Sequence, residues 1–439
     1  MMNDRATACR LLRRLREQRG WSWADQARAL RAVAEWLGVS AVTSTQLTSL
    51  QRTIARWESA ESRTVPGQRY QLLLAHLYVR TPSGELALGA GSDLDTLLTA
   101  LAHLGVTVQR TRELRDTVIR STCIDDGQPL ALLTGPMRQL AVEALREPGQ
   151  LDTELLDRLA ASVSDVDRQI GSVPFVRLQL LLAPVIEVCL RLREPAPLQE
   201  RTDVLRCEAY LLAGRITFET RDDAAAQRWY IRAIAAAGDL VRRAAARTSY
   251  AMTMLHSTGD DGARAIVDAA VADARLGSNL RVRARAHALQ SEVAARSGRG
   301  RDAGASLRLA WSEVEAAGAA NGGFNEGLLR GFEGVCELHL GTAERAHDLL
   351  ELSLADLTAP RDQVQRGIIG ADLAVARLRC GGVQAAVALL HDCVDITAAT
   401  GGRVAAQRIG RARRELAPWR TEPFVTELDD HVYDAFLTK

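Results

Sequence analysis

Apolar residues recur every three or four positions through most of this chain, the spacing of one face of an α-helix. Near the N-terminus they fall at Ala8, Leu11, Leu12 and Leu15, and then at Ala27, Leu30, Ala34 and Leu37. Further runs follow at Leu47, Leu50, Ile54 and Trp57, and at Tyr70, Leu73, Leu74, Leu77 and Tyr78. The first run predicts a helix over 5–19 that stops at Gly20. The second predicts a helix capped by Ser22, with Gln26 within a turn of the cap, ending at Gly38. A polar loop, VSAVTSTQ, then leads to a third helix starting near Thr45, which can cap it; a fourth spans about 67–79.

The stretch 81–93, TPSGELALGAGSD, has the composition of a linker, and no strand precedes its Gly89-Ala90-Gly91 as a phosphate loop would require. Helical patterns resume at about 94–104, 107–121, 130–146, 151–167 and 173–193. The last is apolar nearly all round, as expected of a buried or dimer-forming helix, and Pro184 should kink it.

From about residue 200 the pattern repeats itself. A small residue is followed 12, 16 and 19 positions later by small, large and small ones: Gly214 by Ala226, Tyr230 and Ala233; Ala251 by Ala263, Val267 and Ala270. Ser291 leads to Ala303, Leu307 and Ala310, Gly334 to Ala346, Leu350 and Ser353, and Ala374 to Ala386, Leu390 and Cys393. Turn signals lie between: Arg221-Asp222-Asp223, Thr258-Gly259-Asp260, Gly298-Arg299-Gly300, Gly341-Thr342 and Gly381-Gly382. This is an array of helical hairpins. Small residues let the first helix (A) of each pair cross the second (B) closely, the large residue fills space between hairpins, and each hairpin needs its neighbours to bury its face. The segment 402–417 and a last helix near 422–437 should cap the array. A concave face built by the A helices would include Arg215, Phe218, Met252, His256, Arg285, Glu292 and His339 as candidate ligand contacts.

Composition narrows the chemistry. The sole lysine is Lys439, so neither a Walker A loop nor a Schiff-base lysine is available within the chain. Seven scattered cysteines (Cys9, Cys123, Cys189, Cys207, Cys336, Cys380, Cys393) form no Cys-x-x-Cys pair and suit a reducing compartment. No metal site, cofactor site or nucleophile–base pair stands out, so an enzyme is not expected. No apolar run approaches bilayer length and the start lacks a secretory core, which points to a cytoplasmic protein without membrane attachment. Residues 1–80 hold 13 arginines against six acids, or +7, while the chain as a whole is +1, leaving −6 for the remainder. A basic head on an acidic body suits a polyanion-binding domain. The third helix turns Thr48, Ser49, Gln51, Arg52 and Arg56 away from its apolar side, groups able to hydrogen-bond base edges and phosphates.

LRRLREQRGWSWADQARAL, IARWESAES and RYQLLLAHLYVRTP, in that order, resemble the lambda-repressor-like (XRE-type) helix-turn-helix regulators over about 80 residues. The resemblance implies double-stranded DNA as partner, with Gln46, Thr48, Ser49, Gln51, Arg52, Arg56 and Arg63 as contacts. Trp23 stands where that family usually has a phosphate-contacting Gln, and the interval from Trp21 to Trp57 is about 15 residues longer than in compact members. Long insertions of this kind resemble large actinobacterial regulators. The hairpins resemble tetratricopeptide repeats, and the combination resembles Gram-positive quorum-sensing regulators, in which a peptide held in the repeat groove shifts paired DNA-binding heads. The asparagine ladder of those relatives is missing, since only Asn3, Asn279, Asn321 and Asn325 occur.

The expectation is an all-α protein: a helix-turn-helix domain over 1–82, a linker at 83–93, a helical connector over 94–199 suited to dimerisation, and a right-handed tetratricopeptide-like superhelix with capping helices over 200–439. It would act as a homodimeric, sequence-specific transcriptional regulator sensing a peptide, small molecule or protein. The competing expectation is an adaptor whose basic head binds RNA or protein.

Overall fold

The computed structural model describes residues 4–37, 39–81, 86–122, 129–133, 135–147, 151, 153–193, 195–257, 259–318 and 323–436. Gly38, Cys123, Thr258, Asn3, Asn321 and Lys439 lie outside them. The fold is all-α: among the described residues there is no strand, only the isolated bridges Arg80–Leu86 and Ile170–Val173. No described helix is long and apolar enough to cross a membrane. The chain forms two compact units, Met1–Ala131 and Leu132–Lys439.

The first unit contains α1 (Arg5–Gln18), α2 (Trp23–Trp36), the single turn α3 (Ser40–Thr43), α4 (Leu47–Trp57), α5 (Gln68–Tyr78), α6 (Asp93–His103) and α7 (Val108–Arg120). Ser22 caps α2 as expected, but the reciprocal partner is Asp25, whose carboxylate accepts the Ser22 N–H at 2.9 Å. Gln26 goes inward instead and donates to the Tyr78 hydroxyl at 3.1 Å. The expected polar loop is partly helical because Val39 and Val42, three apart, both turn to the core. As a result α4 begins at Leu47 with Gln46 at its cap position, and Thr45 does not cap it.

The unit continues past residue 82. Leu94, Leu97 and Leu101 of α6 and Leu114 and Val118 of α7 share one core with Leu30, Ile54 and Leu74. Arg19 secures the passage to α6 by donating to the Leu77 and Arg80 carbonyls and pairing with Asp93 at 2.8 Å.

The second unit opens with α8 (Gly135–Arg146), α9 (Thr153–Arg168) and α10 (Phe175–Arg191), the last running through Pro184 with that proline buried. The apolar faces of α10 pack against α9 and α11 of the same unit. Five hairpins follow, each an A helix and a B helix: α11 (Gln199–Glu219) with α12 (Asp223–Ala236), α13 (Leu240–Ser257) with α14 (Asp260–Leu276), α15 (Leu280–Arg296) with α16 (Gly300–Ala317), α17 (Glu326–Leu340) with α18 (Ala343–Asp356), and α19 (Gln363–Arg379) with α20 (Val383–Thr400). The chain ends in α21 (Arg403–Glu415) and α22 (Pro423–Phe436).

The 12/16/19 spacing has a direct packing cause. A Cβ on Gly214 would lie 2.8 Å from the Tyr230 ring, and one on Gly334 would lie 2.6 Å from Leu350 Cγ. The large residue of helix B therefore sits on the small residue of its own helix A and also reaches the next hairpin, as where Tyr230 stacks with Tyr250 of α13 at 5.9 Å and Val267 shares a core with Leu289 and Val293 of α15. The A-to-B turns also share a cause, since each contains a left-handed residue: Arg221, Gly259, Gly298, Gly341 and Gly381. Arg221 is the one non-glycine with positive φ among the described residues.

The stack closes on itself. Successive A helices touch one another, and α21 packs along α19 as the next in the series, with Ala405 against Gly367. Yet α21 also meets α11, the first A helix. Elsewhere, a Cβ on Gly171, after α9, would lie 2.5 Å from the Pro360 carbonyl before α19.

Candidate functional site

In the first unit the candidate site is the outer side of α4. Leu50, Ile54 and Trp57 are buried, and Trp57 meets Tyr70 edge-on at 5.1 Å. Gln46, Thr48, Ser49, Arg52 and Arg56 are exposed, Gln51 is half-buried, and Arg63 is exposed in the loop that follows. None of Arg52, Arg56 and Arg63 has an ion-pair partner among the described residues.

The end of α4 is clamped. Glu58 is buried and accepts both branches of the Arg16 guanidinium at 2.8 Å, plus the Trp23 indole N–H at 3.0 Å. Arg16 in turn donates to the Trp21 carbonyl at 2.8 Å. Arg5 donates to the backbone carbonyls of Arg56, Ser59 and Thr64. This bidentate pair ties α1, the start of α2 and the end of α4 together, so the exposed side chains sit on a fixed helix. It also gives Trp23 a local role: 46% exposed, it holds Glu58 from the solvent side.

In the second unit the candidate site is the inner face where the A helices converge on α21. Glu219, at the end of α11, accepts the Arg403 backbone N–H at 2.7 Å and so caps α21 from 184 residues away. The Arg403 guanidinium pairs with Asp223 and lies over the Phe218 ring at 4.9 Å. One turn further on, Arg408 is buried between Asp372 of α19 at 2.9 Å and Glu292 of α15 at 3.2 Å. Arg296 also pairs with Glu292 at 2.5 Å. Arg411 reaches His339 of α17 at 3.5 Å and Glu415 at 3.7 Å.

Burial pushes the Glu292 carboxyl up, but Arg296 and Arg408 outweigh it and hold it at about 2. Asp372 goes the other way, because burial outweighs Arg408. Burial, then the neighbouring arginines Arg408 and Arg296, holds His256 down at about 3. Burial, then Arg296 and Arg411, does the same to His339. Both imidazoles are neutral in the folded protein at pH 7.

Of the residues expected to line the concave face, Phe218, His256, Glu292 and His339 come together around α21. Arg215 is half-buried on α11, Arg285 is half-buried on α15 and donates to the Ser249 hydroxyl at 3.2 Å, and Met252 packs against the core cluster that holds Leu255, Val267 and Leu289. Sequence reasoning passed over Glu219, Arg296, Asp372 and Arg379, and the arginines of α21. A signal was there: five places after each small A-helix residue stands Glu219, His256, Arg296, His339 or Arg379, polar every time. Neither a protein-family model nor a curated protein matches this chain.

Proposed function

We propose that this protein is a sequence-specific DNA-binding transcriptional regulator: an XRE-type helix-turn-helix head joined to a tetratricopeptide-like superhelix that senses an effector. The observation that carries the reading is the outer side of α4. Two hydroxyls, two glutamines and two arginines project from a helix whose other side is locked by Leu50, Ile54, Trp57 and the Arg16–Glu58 clamp. A guanidinium without an internal partner is free to take guanine or phosphate. In this reading α2 lies across the backbone while α4 enters the major groove, Arg52 with Gln51 and Ser49 read bases, and Arg56 and Arg63 neutralise phosphates.

In the second unit, the face that would hold a peptide in an open array is largely taken by α21, which favours a small effector over an extended peptide. Pairing of two chains belongs to the proposal because one head reads one half-site. A monomer by light scattering at micromolar concentration, with and without duplex, would remove that part.

Selection of bound duplexes from a randomised pool by the purified full-length chain tests the reading. An enriched motif is the expected result. Binding without enrichment, or preference for single-stranded RNA over duplex, favours the adaptor instead.

A further inference from the structure

The outer side of α4 accounts for Arg52, Arg56 and Arg63, but three more arginines of the first unit stay outside with no acid to meet. Arg10, Arg13 and Arg14 are exposed on α1, whose other side buries Ala8, Cys9, Leu12 and Leu15. None of the three has an ion-pair partner among the described residues. Spaced three and four places apart, they share one stripe and line an open recess of about 480 Å³ with Glu17 and Gln18. The acids close by are already engaged. Glu17 pairs with the buried Arg16 at 3.5 Å, and Asp4 caps α1 by accepting the Thr7 N–H at 3.0 Å. Arg10 donates to the Thr7 hydroxyl at 2.6 Å and Arg13 to the Glu58 carbonyl at 3.3 Å, which orients both guanidiniums and neutralises neither.

Like charges three and four places apart weaken a helix, so the stripe costs α1 stability instead of adding to it. Its position relative to α4 is what gives it a use. Arg13 bonds to the carbonyl of the residue that ends α4, and Arg5 of the same helix donates to the carbonyls of Arg56, Ser59 and Thr64. The stripe thus adjoins, through direct hydrogen bonds, the segment that carries Arg56 and Arg63. The Arg16–Glu58 pair at 2.8 Å holds the two helices together, so the arginines of α1 and α4 form one basic tract on a fixed support. From Arg10 to Arg14 the stripe rises about 6 Å along α1. A duplex carries about one negative charge per 1.7 Å of its axis, so phosphates passing over the stripe are dense enough to meet each guanidinium. The recess is open, as suits a backbone that runs across it; a small ligand would need an enclosed one.

We propose that Arg10, Arg13 and Arg14 of α1 make a second contact with duplex DNA, gripping the phosphate backbone beside the bases that α4 reads. The inference rests on the reading of the first unit as a DNA-binding head and extends it: α4 carries the sequence preference, while α1 adds affinity that is blind to sequence.

The test is the affinity of the full-length chain for the selected duplex and a scrambled one over a series of sodium chloride concentrations; if selection yields no motif, two arbitrary duplexes serve. The double variant Arg10→Gln, Arg14→Gln should bind both duplexes more weakly by the same factor. Its slope of log affinity against log salt should be shallower by about two, one for each lost contact. Arg10→Lys with Arg14→Lys keeps the charge and should keep the wild-type slope. Arg228→Gln with Arg264→Gln removes the same charge from exposed positions on α12 and α14 and should change neither affinity nor slope. The proposal is overturned if the Arg10, Arg14 glutamine variant binds as wild type does, or loses affinity for the selected duplex alone. It is also overturned if the lysine pair or the Arg228, Arg264 variant loses as much. An enriched motif with no effect at Arg10 and Arg14 removes the stripe and leaves the reading of α4. Duplex binding without sequence preference that still loses slope in the glutamine variant supports the stripe and removes the reading of α4, and a wild type that binds no duplex overturns both.

Discussion

Arginine is the dominant cation in both units, but the two use it in opposite directions. In the first unit Arg52, Arg56 and Arg63 stand outside, on a helix already fixed by apolar contacts and the Arg16–Glu58 clamp. In the second, Arg403 and Arg408 point inward and join helices that lie far apart in sequence. The difference follows from how each unit closes. A small helical cluster buries its stripes and, the Arg16–Glu58 pair apart, leaves most of its charges at the surface. A stack wound until its first and sixth A helices meet brings polar inner faces together, and their carboxylates must be neutralised. Net charge, +7 over residues 1–80, registers the sum of such groups but not which way they point.

The sharpest way to break the comparison is to remove an arginine of each kind. Arg408→Ala leaves Asp372 and Glu292 without their shared partner and should cost the second unit about 3–5 kcal/mol by urea unfolding. Arg52→Ala should change stability by no more than about 0.5 kcal/mol, as for an exposed side chain. Equal costs would end the distinction. Gly334→Ala comes next: its new Cβ would lie 2.6 Å from the fully buried Leu350, and overpacking should cost about 1–3 kcal/mol in the same assay.

Acid sharpens the comparison through the inner face. His256 and His339 sit at about 3 when folded, against an ordinary value of 6.5. The unfolded chain therefore takes up protons as pH falls through 6.5 while the folded chain does not. Their contribution is complete above that pH and is lost as pH falls from 6.5 towards 3, by at most about 1.4 kcal/mol per pH unit for each histidine. Glu219 and Asp372, both raised by burial, act with the opposite sign, so the test is a difference. The double variant His256→Gln, His339→Gln should lose less stability than wild type between pH 6.5 and 4; parallel pH curves would contradict the assignment. The smallest effect is expected at a turn. Arg221→Gly relieves a left-handed residue and should raise stability by up to about 1 kcal/mol; a decrease would show that the arginine side chain contributes more than its backbone costs.

Much of the hairpin architecture was legible because close packing leaves a spacing. Gly214 under Tyr230 and Gly334 under Leu350 are contacts within a hairpin, set by helix geometry and by turns that need a left-handed residue. The inner face was only half legible, because it depends on closure of the whole stack. The spacing that marks the other hairpins fails for the last one: counting from Ala412, Phe424 and His431 stand where small residues belong, so α21 reads as a cap and not as a sixth A helix. In its place, His431 bonds across to α20, with its Nδ1 2.7 Å from that of His391 and its Nε2 2.9 Å from Asp395. The outer side of α4 was legible from its apolar stripe alone. The clamp behind it was not, because Arg16 and Glu58 are 42 residues apart. The turn α3 was missed because two valines within a polar segment are too short a pattern to register.

The most direct measurement is the affinity of wild type and Arg52→Ala for the selected duplex and for a scrambled one, across a series of salt concentrations. Wild type should prefer the selected duplex, and binding to both should weaken steeply with salt as phosphate contacts release counterions. Arg52→Ala should lose about 1–3 kcal/mol on the selected duplex and little on the scrambled one. An unchanged preference in the variant would contradict the assignment of base reading to the exposed side of α4.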